Sequence, residues 1–139
     1  MFDAISIPFG AKMLFNTVKL KPGVSMDEVE IAIGEMCNVV KAAYGGDKGG
    51  FIAGQVFRFS GFVSEEGSLG AKDAQEHVAI VTYWRSFEAH ERSHADAVFN
   101  AKFSALVELC SDTQEFGYDM LWQGESEAAA AAAAAGTPA

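Results

Sequence analysis

The feature that most constrains this chain is an ordered change of hydrophobic period between Lys12 and Gln123. Residues 13–20 alternate as in a strand, and Pro22 and Gly23 end that strand. Ser25 and Glu28 then form a capping box at the start of a helix. The predicted buried face of this helix recurs every three or four positions: Val29, Ile33, Met36, Val40 and Tyr44.

The remainder of the chain continues the pattern with two strands, a helical region and a last strand. Phe51 to Val63 is rich in Phe and Val, which favours a long second strand, and His77 to Trp84 is a third strand. Ser86 to about Cys110 is helical, and Phe116 to Trp122 is a fourth strand.

This order of elements predicts an α+β fold of the ferredoxin-like, βαββαβ type, with a four-stranded antiparallel sheet and helices on one face. The 139 residues suffice for one domain. We expect that domain to span residues 12–123, after an N-terminal extension of residues 1–11. Residues 124–139 are a low-complexity, alanine-rich tail, because alanine adds helix propensity but little burial.

The third and fourth strands are apolar on both faces, although helices can cover only one of them. On the third strand, one face carries Val78, Ile80 and Trp84, and the other carries Ala79, Val81 and Tyr83. The uncovered face would leave a large apolar patch in water. The pattern therefore predicts a homodimer in which the sheet faces of two copies pack together.

Composition excludes several classes of partner. A net charge of −9 repels phosphate backbones and anionic lipid headgroups, so we expect neither nucleic acid nor membrane as a partner. The N-terminus lacks the features of a secretory signal, and Cys37 and Cys110 lie in apolar, helix-like stretches without a CxxC partner. We therefore expect two buried thiols and a cytoplasmic location.

Two stretches resemble the dimeric α+β barrel superfamily, which contains antibiotic-biosynthesis monooxygenases, small quinol monooxygenases and heme-degrading monooxygenases. They are residues 16–23, a first strand with an inward-facing Asn before a turn, and residues 84–90 continuing to Val98, Phe99 and Phe103. The topology covers about 110 of the 139 residues. The resemblance implies a dimeric α+β barrel with a cavity between sheet and helices.

The resemblance also implies a function, a cofactor-independent monooxygenase-like oxidoreductase acting on a small aromatic or quinol-type substrate. Asn16 would orient the substrate, and His94 is the best nearby acid or base because imidazole titrates near neutral pH. The alternative is a non-catalytic protein that binds heme or another hydrophobic ligand. Against heme, Phe103 falls where heme-degrading members place the histidine that coordinates iron.

The polar and aromatic residues of the predicted cavity each have a structural and a functional interpretation. Asn16 is either a core amide bonded to neighbouring backbone or an amide that orients a substrate and stabilises an anion. The aromatic residues are either ordinary core or the walls of a pocket for a flat ligand. We assign four of them to ligand binding: Phe57, Trp84, Phe99 and Phe103.

Residues 90–94, His-Glu-Arg-Ser-His, satisfy the HExxH signature, in which two histidines on one helix bind zinc. The signature requires an unbroken helix, whereas Ser93 and Asp96 resemble a new capping signal. His77, the third histidine, lies at the start of a strand, so a third ligand would have to be a carboxylate. We therefore expect no metal site.

Overall fold

The computed structural model describes residue 2 and residues 4–64, 66–72 and 75–136, without the side chain of Asp47. The strands and helices of these residues confirm the predicted order. The elements are β1 (Lys12–Leu20), α1 (Met26–Ala43), α2 (Gly46–Gly49), β2 (Phe51–Arg58), β3 (His77–Trp84), α3 (Phe87–Ser93), α4 (Ala97–Val107), β4 (Cys110–Asp119) and α5 (Glu127–Ala134).

The four strands form one antiparallel sheet in the order β2-β3-β1-β4. The first strand is central, and on it Asn16 lies opposite Ile80 of β3 and Glu115 of β4. Residues opposite each other across antiparallel strands share a face of the sheet. The fold class predicted from the sequence, an α+β ferredoxin-like sheet with helices, is confirmed.

Helix α1 forms where its capping signals predict. The Ser25 hydroxyl accepts a hydrogen bond from the Glu28 N–H at 3.2 Å, and the Glu28 carboxylate accepts one from the Ser25 N–H at 2.9 Å. This reciprocal pair satisfies two donors that the first turn leaves unpaired. Four of the five residues predicted for the buried face are buried, namely Val29, Ile33, Met36 and Val40, and Tyr44 is the C-cap.

Strands β2 and β4 differ from their predicted limits. The second strand ends at Arg58 rather than Val63. The fourth strand begins at Cys110, six positions before the predicted start, and ends at Asp119. Its first half carries the polar run 111–115, because β4 is an edge strand held to β1 by backbone hydrogen bonds. An exposed edge strand needs no apolar alternation, so periodicity alone misses it.

The core lies between the sheet and the helices. Val78, Ile80 and Trp84 of β3 are buried on the helix-facing side together with residues of α1 and α4. Among the described residues, the helices that pack on the sheet lie on this side, and we call the opposite face of the sheet the outer face. Its apolar side chains include three that are about half exposed: Phe57 (50%), Phe116 (44%) and Tyr118 (48%).

The described part of the alanine-rich tail adds no buried residue to this core, whereas Cys110 belongs to it and Cys37 packs against it. Helix α5 in the alanine-rich tail contains no buried residue. Both cysteines are free thiols; Cys110 is buried and Cys37 is partly buried. Burial raises the pKa of both thiols above their ordinary value. Among the residues that the structure describes, no helix is both long and apolar enough to span a membrane.

Candidate functional site

A cavity of about 200 Å³ lies between the helix-facing side of the sheet and helices α1, α3 and α4. It is smaller than the ~300–1,000 Å³ of most small-molecule sites, which favours a small ring over a porphyrin. Most of the wall is apolar, and polar groups gather at one end. The apolar part includes Val18, Met36, Val40, Ile80, Trp84, Phe99, Phe103 and Leu106, and the polar part includes Asn16, His90, His94 and Glu115.

Five of the six residues assigned from the sequence line this cavity: Asn16, Trp84, His94, Phe99 and Phe103. The sixth, Phe57, does not. It lies opposite Ala79 in the register of β2 and β3, and therefore on the outer face of the sheet. Its assignment to the cavity is corrected on this point, because a single strand does not reveal which of its two faces meets the helices.

The aromatic walls of the cavity pack against the histidines. The Phe99 and Phe103 rings are stacked, with centroids 5.9 Å apart and planes 13° apart. His94 lies 5.2 Å from the Phe99 centroid, and the Trp84 ring meets the His90 ring edge-on at 5.3 Å. Trp84 is almost fully buried, and its indole N–H donates to the Thr82 hydroxyl at 2.8 Å. These contacts hold the rings together as an aromatic wall beside the polar end.

Asn16 lies at the boundary between the apolar wall and the polar end. Among the described residues, its side-chain amide makes no hydrogen bond to the protein. The expected alternative, an amide bonded to neighbouring backbone, is not observed. Asn16 is only partly buried, so its donor and acceptor are available to a molecule in the cavity.

The helical region after β3 breaks as the sequence predicted, and the position of the break decides whether His90 and His94 stay on one helical turn. Helix α3 ends at Ser93 with His94 as its C-cap, and Asp96 begins α4. The Asp96 carboxylate accepts hydrogen bonds from the N–H groups of Val98 at 2.8 Å and Phe99 at 3.1 Å. Since the break follows His94, the four-residue spacing of the two histidines is preserved within one turn.

His90, His94 and Glu115 converge at the polar end, and we call them the His-His-Glu cluster. Their ligand-type atoms all lie within 4.8 Å of one another. The Nε2 atoms of His90 and His94 are 3.1 Å apart, and His90 Nε2 lies 3.4 Å from Glu115 Oε2. Within the described ranges, this is the only group of three such side chains close enough to share an ion.

The cluster combines a buried imidazole with an accessible carboxylate. The His90 side chain is 7% exposed, whereas that of Glu115 is 35% exposed. The hydrogen bond from His90, followed by the charges of His90 and His94, lowers the pKa of Glu115 against the opposing effect of burial. Glu115 therefore stays ionised beside the two imidazoles and favours any positive charge placed among them.

Neither His90 nor Glu115 was assigned to the cavity from the sequence. His90 belonged to a motif that was discounted because of the helix break. Glu115 immediately precedes the predicted start of β4 at Phe116. Extending β4 upstream would have placed Glu115 on the opposite face from Phe116, and pairing with β1 would have brought it to Asn16.

The comparisons with known proteins identify the fold and leave the family open. No protein-family model matches the chain, and no curated protein matches it. Solved structures do match. A candidate antibiotic biosynthesis monooxygenase from Caulobacter crescentus superposes with a TM-score of 0.60 at 16% identity, over 82% of this chain and 92% of that one.

Two further similar structures are named for activities that differ from each other. SnoaB from Streptomyces nogalater, a cofactor-independent oxygenase, matches with a TM-score of 0.59 at 14% identity, over 85% of this chain and 99% of its own. A hydroxynitrile lyase from Passiflora edulis matches with a TM-score of 0.62 at 8% identity, over 85% and 100%. Dimeric ferredoxin-like proteins of unknown function are also similar. The predicted resemblance is thus confirmed for the fold, which supports more than one chemistry.

Proposed function

We propose that the protein is a monooxygenase-type oxidoreductase that acts, without a cofactor, on a small aromatic or quinol-type substrate in the cavity. The observation that carries this proposal is that an unpaired amide and a group of titratable side chains meet at one end of an apolar cavity. The unpaired amide of Asn16 and the His-His-Glu cluster both line the cavity, and Asn16 lies opposite Glu115 in the strand register.

In this proposal the cluster accepts the proton of the substrate hydroxyl, with His94 as the group nearest the substrate. A proton shared by His94 and His90 is stabilised by the ionised Glu115 beside them. The resulting substrate anion is electron-rich and can reduce O₂ directly. The protein then has only to bind the ring, remove the proton and stabilise the anion.

Asn16 is the group that stabilises the anion. Its amide N–H groups are without protein partners among the described residues and can donate to the phenolate oxygen. The stacked rings of Phe99 and Phe103, with Trp84, would hold the substrate ring in the apolar part of the cavity. The mostly apolar walls lower the local dielectric constant, which strengthens each hydrogen bond to the anion.

The atoms and electrons of the reaction balance without an added reductant. A phenol with a ring C–H becomes a quinone when that carbon takes one atom of O₂ as a carbonyl oxygen. The other oxygen atom leaves as water, which carries away the ring hydrogen and the hydroxyl proton. The substrate supplies all four electrons that O₂ accepts.

The same proposal includes a homodimer formed through the outer face. Phe15 and Tyr118 meet edge-on there, with ring centroids 6.3 Å apart, and Phe116 lies opposite Phe15 in the register. Exposed aromatic side chains on the outer face are suited to packing against a second sheet. The dimeric ferredoxin-like neighbours are consistent with this arrangement.

Oxygen consumption with a panel of simple phenols, naphthols and anthrones tests the proposal. We expect turnover with at least one of them, and ¹⁸O₂ should place one labelled atom in the product. The rate of oxygen consumption should not change when catalase and superoxide dismutase are added, which excludes the release of hydrogen peroxide and superoxide. Tight binding of these compounds without any oxygen consumption would favour the alternative, a non-catalytic ligand-binding protein.

A further inference from the structure

We propose that His90, His94 and Glu115 form a binding site for one divalent first-row transition-metal ion. This inference concerns metal binding and does not depend on the reaction proposed above. It reverses the expectation from the sequence, which discounted the HExxH segment because of a helix break and because the third ligand would have to be a carboxylate. The break follows His94, and β4 supplies Glu115.

Two of the three separations within the cluster match those of atoms bound to a common metal, and the third, between His94 and Glu115, lies within 4.8 Å. With metal–ligand bonds of ~2.0–2.2 Å, neighbouring ligand atoms lie about 3.0 Å apart in an octahedral site and about 3.4 Å apart in a tetrahedral one. The two Nε2 atoms are 3.1 Å apart, and His90 Nε2 is 3.4 Å from Glu115 Oε2. The Glu115 side chain is partly exposed, so its rotation can bring Oε2 closer to His94.

The contacts of His90 indicate why a cation suits this point. In a hydrogen-bond relay through an imidazole, one ring nitrogen accepts a hydrogen bond and the other ring nitrogen donates one. Here one nitrogen, Nε2, faces both His94 and Glu115, while Nδ1 lies 3.4 Å from the Glu91 carboxylate. When both histidines carry their proton on Nδ1, the two Nε2 lone pairs and the Glu115 carboxylate face one another, and a cation among the three removes their repulsion. The cation then takes the place of the proton that His90 otherwise donates to Glu115.

Glu91 has the position of a supporting residue in this site. Histidines that bind metals usually donate their second N–H to a carboxylate, which fixes the ring and its tautomer. In zinc proteases the glutamate of HExxH instead acts as a general base on metal-bound water. The Glu91 side chain is 72% exposed and lies beside Nδ1 of His90, so the site differs from that of a zinc protease.

Two histidines and one carboxylate leave further coordination positions open. Because all three side chains line the cavity, those positions face the space that Asn16 also borders. A metal ion there would be reached by small ligands entering the cavity. Through Nε2, His94 can bind either a proton or a metal ion, so metal binding and the acid–base role exclude each other at any one moment.

The test is a titration of chelator-treated, untagged full-length protein with CoCl₂, whose visible absorbance reports nitrogen and oxygen ligation, and a competition with ZnCl₂. We expect saturation at one Co²⁺ per chain and displacement by Zn²⁺. His94→Gln and Glu115→Gln should each weaken Co²⁺ binding by on the order of 100-fold or more. His77→Gln is the matched control, since it removes the only histidine outside the cluster, and it should bind as the wild type does.

Three results would overturn the site. They are the absence of a saturable visible band in the wild type, an unchanged affinity in Glu115→Gln, and an equal loss in His77→Gln. Circular dichroism of the metal-free variants checks their folding. Should His94→Gln not fold, Glu115→Gln decides the question, because Glu115 lies on an edge strand with its side chain partly exposed.

The outcome is independent of turnover, so metal binding and the proposed oxygenation can fail separately. In wild-type protein that consumes oxygen without metal, Zn²⁺ should suppress consumption with the same midpoint as its binding. If Zn²⁺-saturated protein consumed oxygen at the metal-free rate, His94 Nε2 could not be both a metal ligand and the acceptor of the substrate proton.

Discussion

Asn16 and Glu115 lie directly opposite each other on β1 and β4, and both line the cavity between the sheet and the helices. The pair joins a neutral amide that has no protein partner among the described residues to a carboxylate held ionised by two imidazoles. An amide can donate to a substrate anion, whereas the carboxylate would repel it. The anion is therefore expected on the Asn16 side, with the proton on the cluster side.

Asn16→Ala is predicted to lower kcat for oxygen consumption by on the order of 10²–10³-fold, the usual effect of losing one donor to an oxyanion. Substrate affinity should change much less, because the charge on the oxygen develops only after deprotonation. Steady-state oxygen-electrode kinetics measure both quantities.

Thr17→Ala is the matched control for this prediction, since Thr17 lies next to Asn16 on the same strand but faces the outer side, opposite Ala79. It should leave kcat within about twofold of the wild type. Melting temperatures of both variants should stay close to that of the wild type, because the Asn16 amide makes no hydrogen bond within the described chain. Equal turnover by Asn16→Ala and wild type would remove Asn16 from the mechanism.

Phe103→Ala is predicted to weaken substrate binding by about tenfold, corresponding to ~1.4 kcal/mol of lost ring contact. Phe103 stacks on Phe99 in the cavity wall, so its removal takes away part of the aromatic lining. Phe57→Ala is the comparison, because Phe57 was assigned to the cavity from the sequence but lies on the outer face. Ligand titration by fluorescence should find wild-type affinity for Phe57→Ala, and the reverse order would contradict the described register.

Asp96→Ala is predicted to destabilise the protein by about 1 kcal/mol, since the side chain caps α4 through two backbone N–H groups. Asp96→Asn should retain most of this stability, because asparagine is an equally good N-cap. The turn before α4 also includes a hydrogen bond from the Asn100 side chain to the His94 carbonyl at 2.8 Å. Urea denaturation measures both variants, and an equal loss in Asp96→Asn would mean that the negative charge, rather than the cap, is responsible.

The sequence predicts those parts of the arrangement that depend on local patterns, and it misses those that depend on pairing between distant strands. Helix α1 and strand β3 bury continuous apolar faces, so periodicity predicted both. The break before α4 was visible because Asp96 is a local capping signal. Glu115 depends on pairing between strands nearly a hundred residues apart, which carries no local signal. The same limit placed Phe57 on the wrong side of the sheet, since the face of a strand is decided by its neighbours.

The homodimer gives the last prediction, and the structure indicates which substitution tests it best. Phe116 lies on the outer face and is 44% exposed, so Phe116→Asp should leave the chain folded and disrupt packing against a second sheet. Ile80 lies on the helix-facing side and is buried, so Ile80→Asp places a charge in the core and should unfold the chain. Val81 on the outer face is already buried within one chain, which makes it a less specific probe.

Light scattering after size exclusion measures the mass of each variant, and circular dichroism measures its folding. We expect a wild-type dimer at micromolar concentration, a folded Phe116→Asp monomer and an unfolded Ile80→Asp chain. A sheet interface of ~800 Å² per subunit, the standard size for a stable complex, requires the aromatic side chains of this face to be well packed. A folded wild-type monomer at that concentration would show that the outer face is tolerated in water, and the proposed dimer would then be wrong.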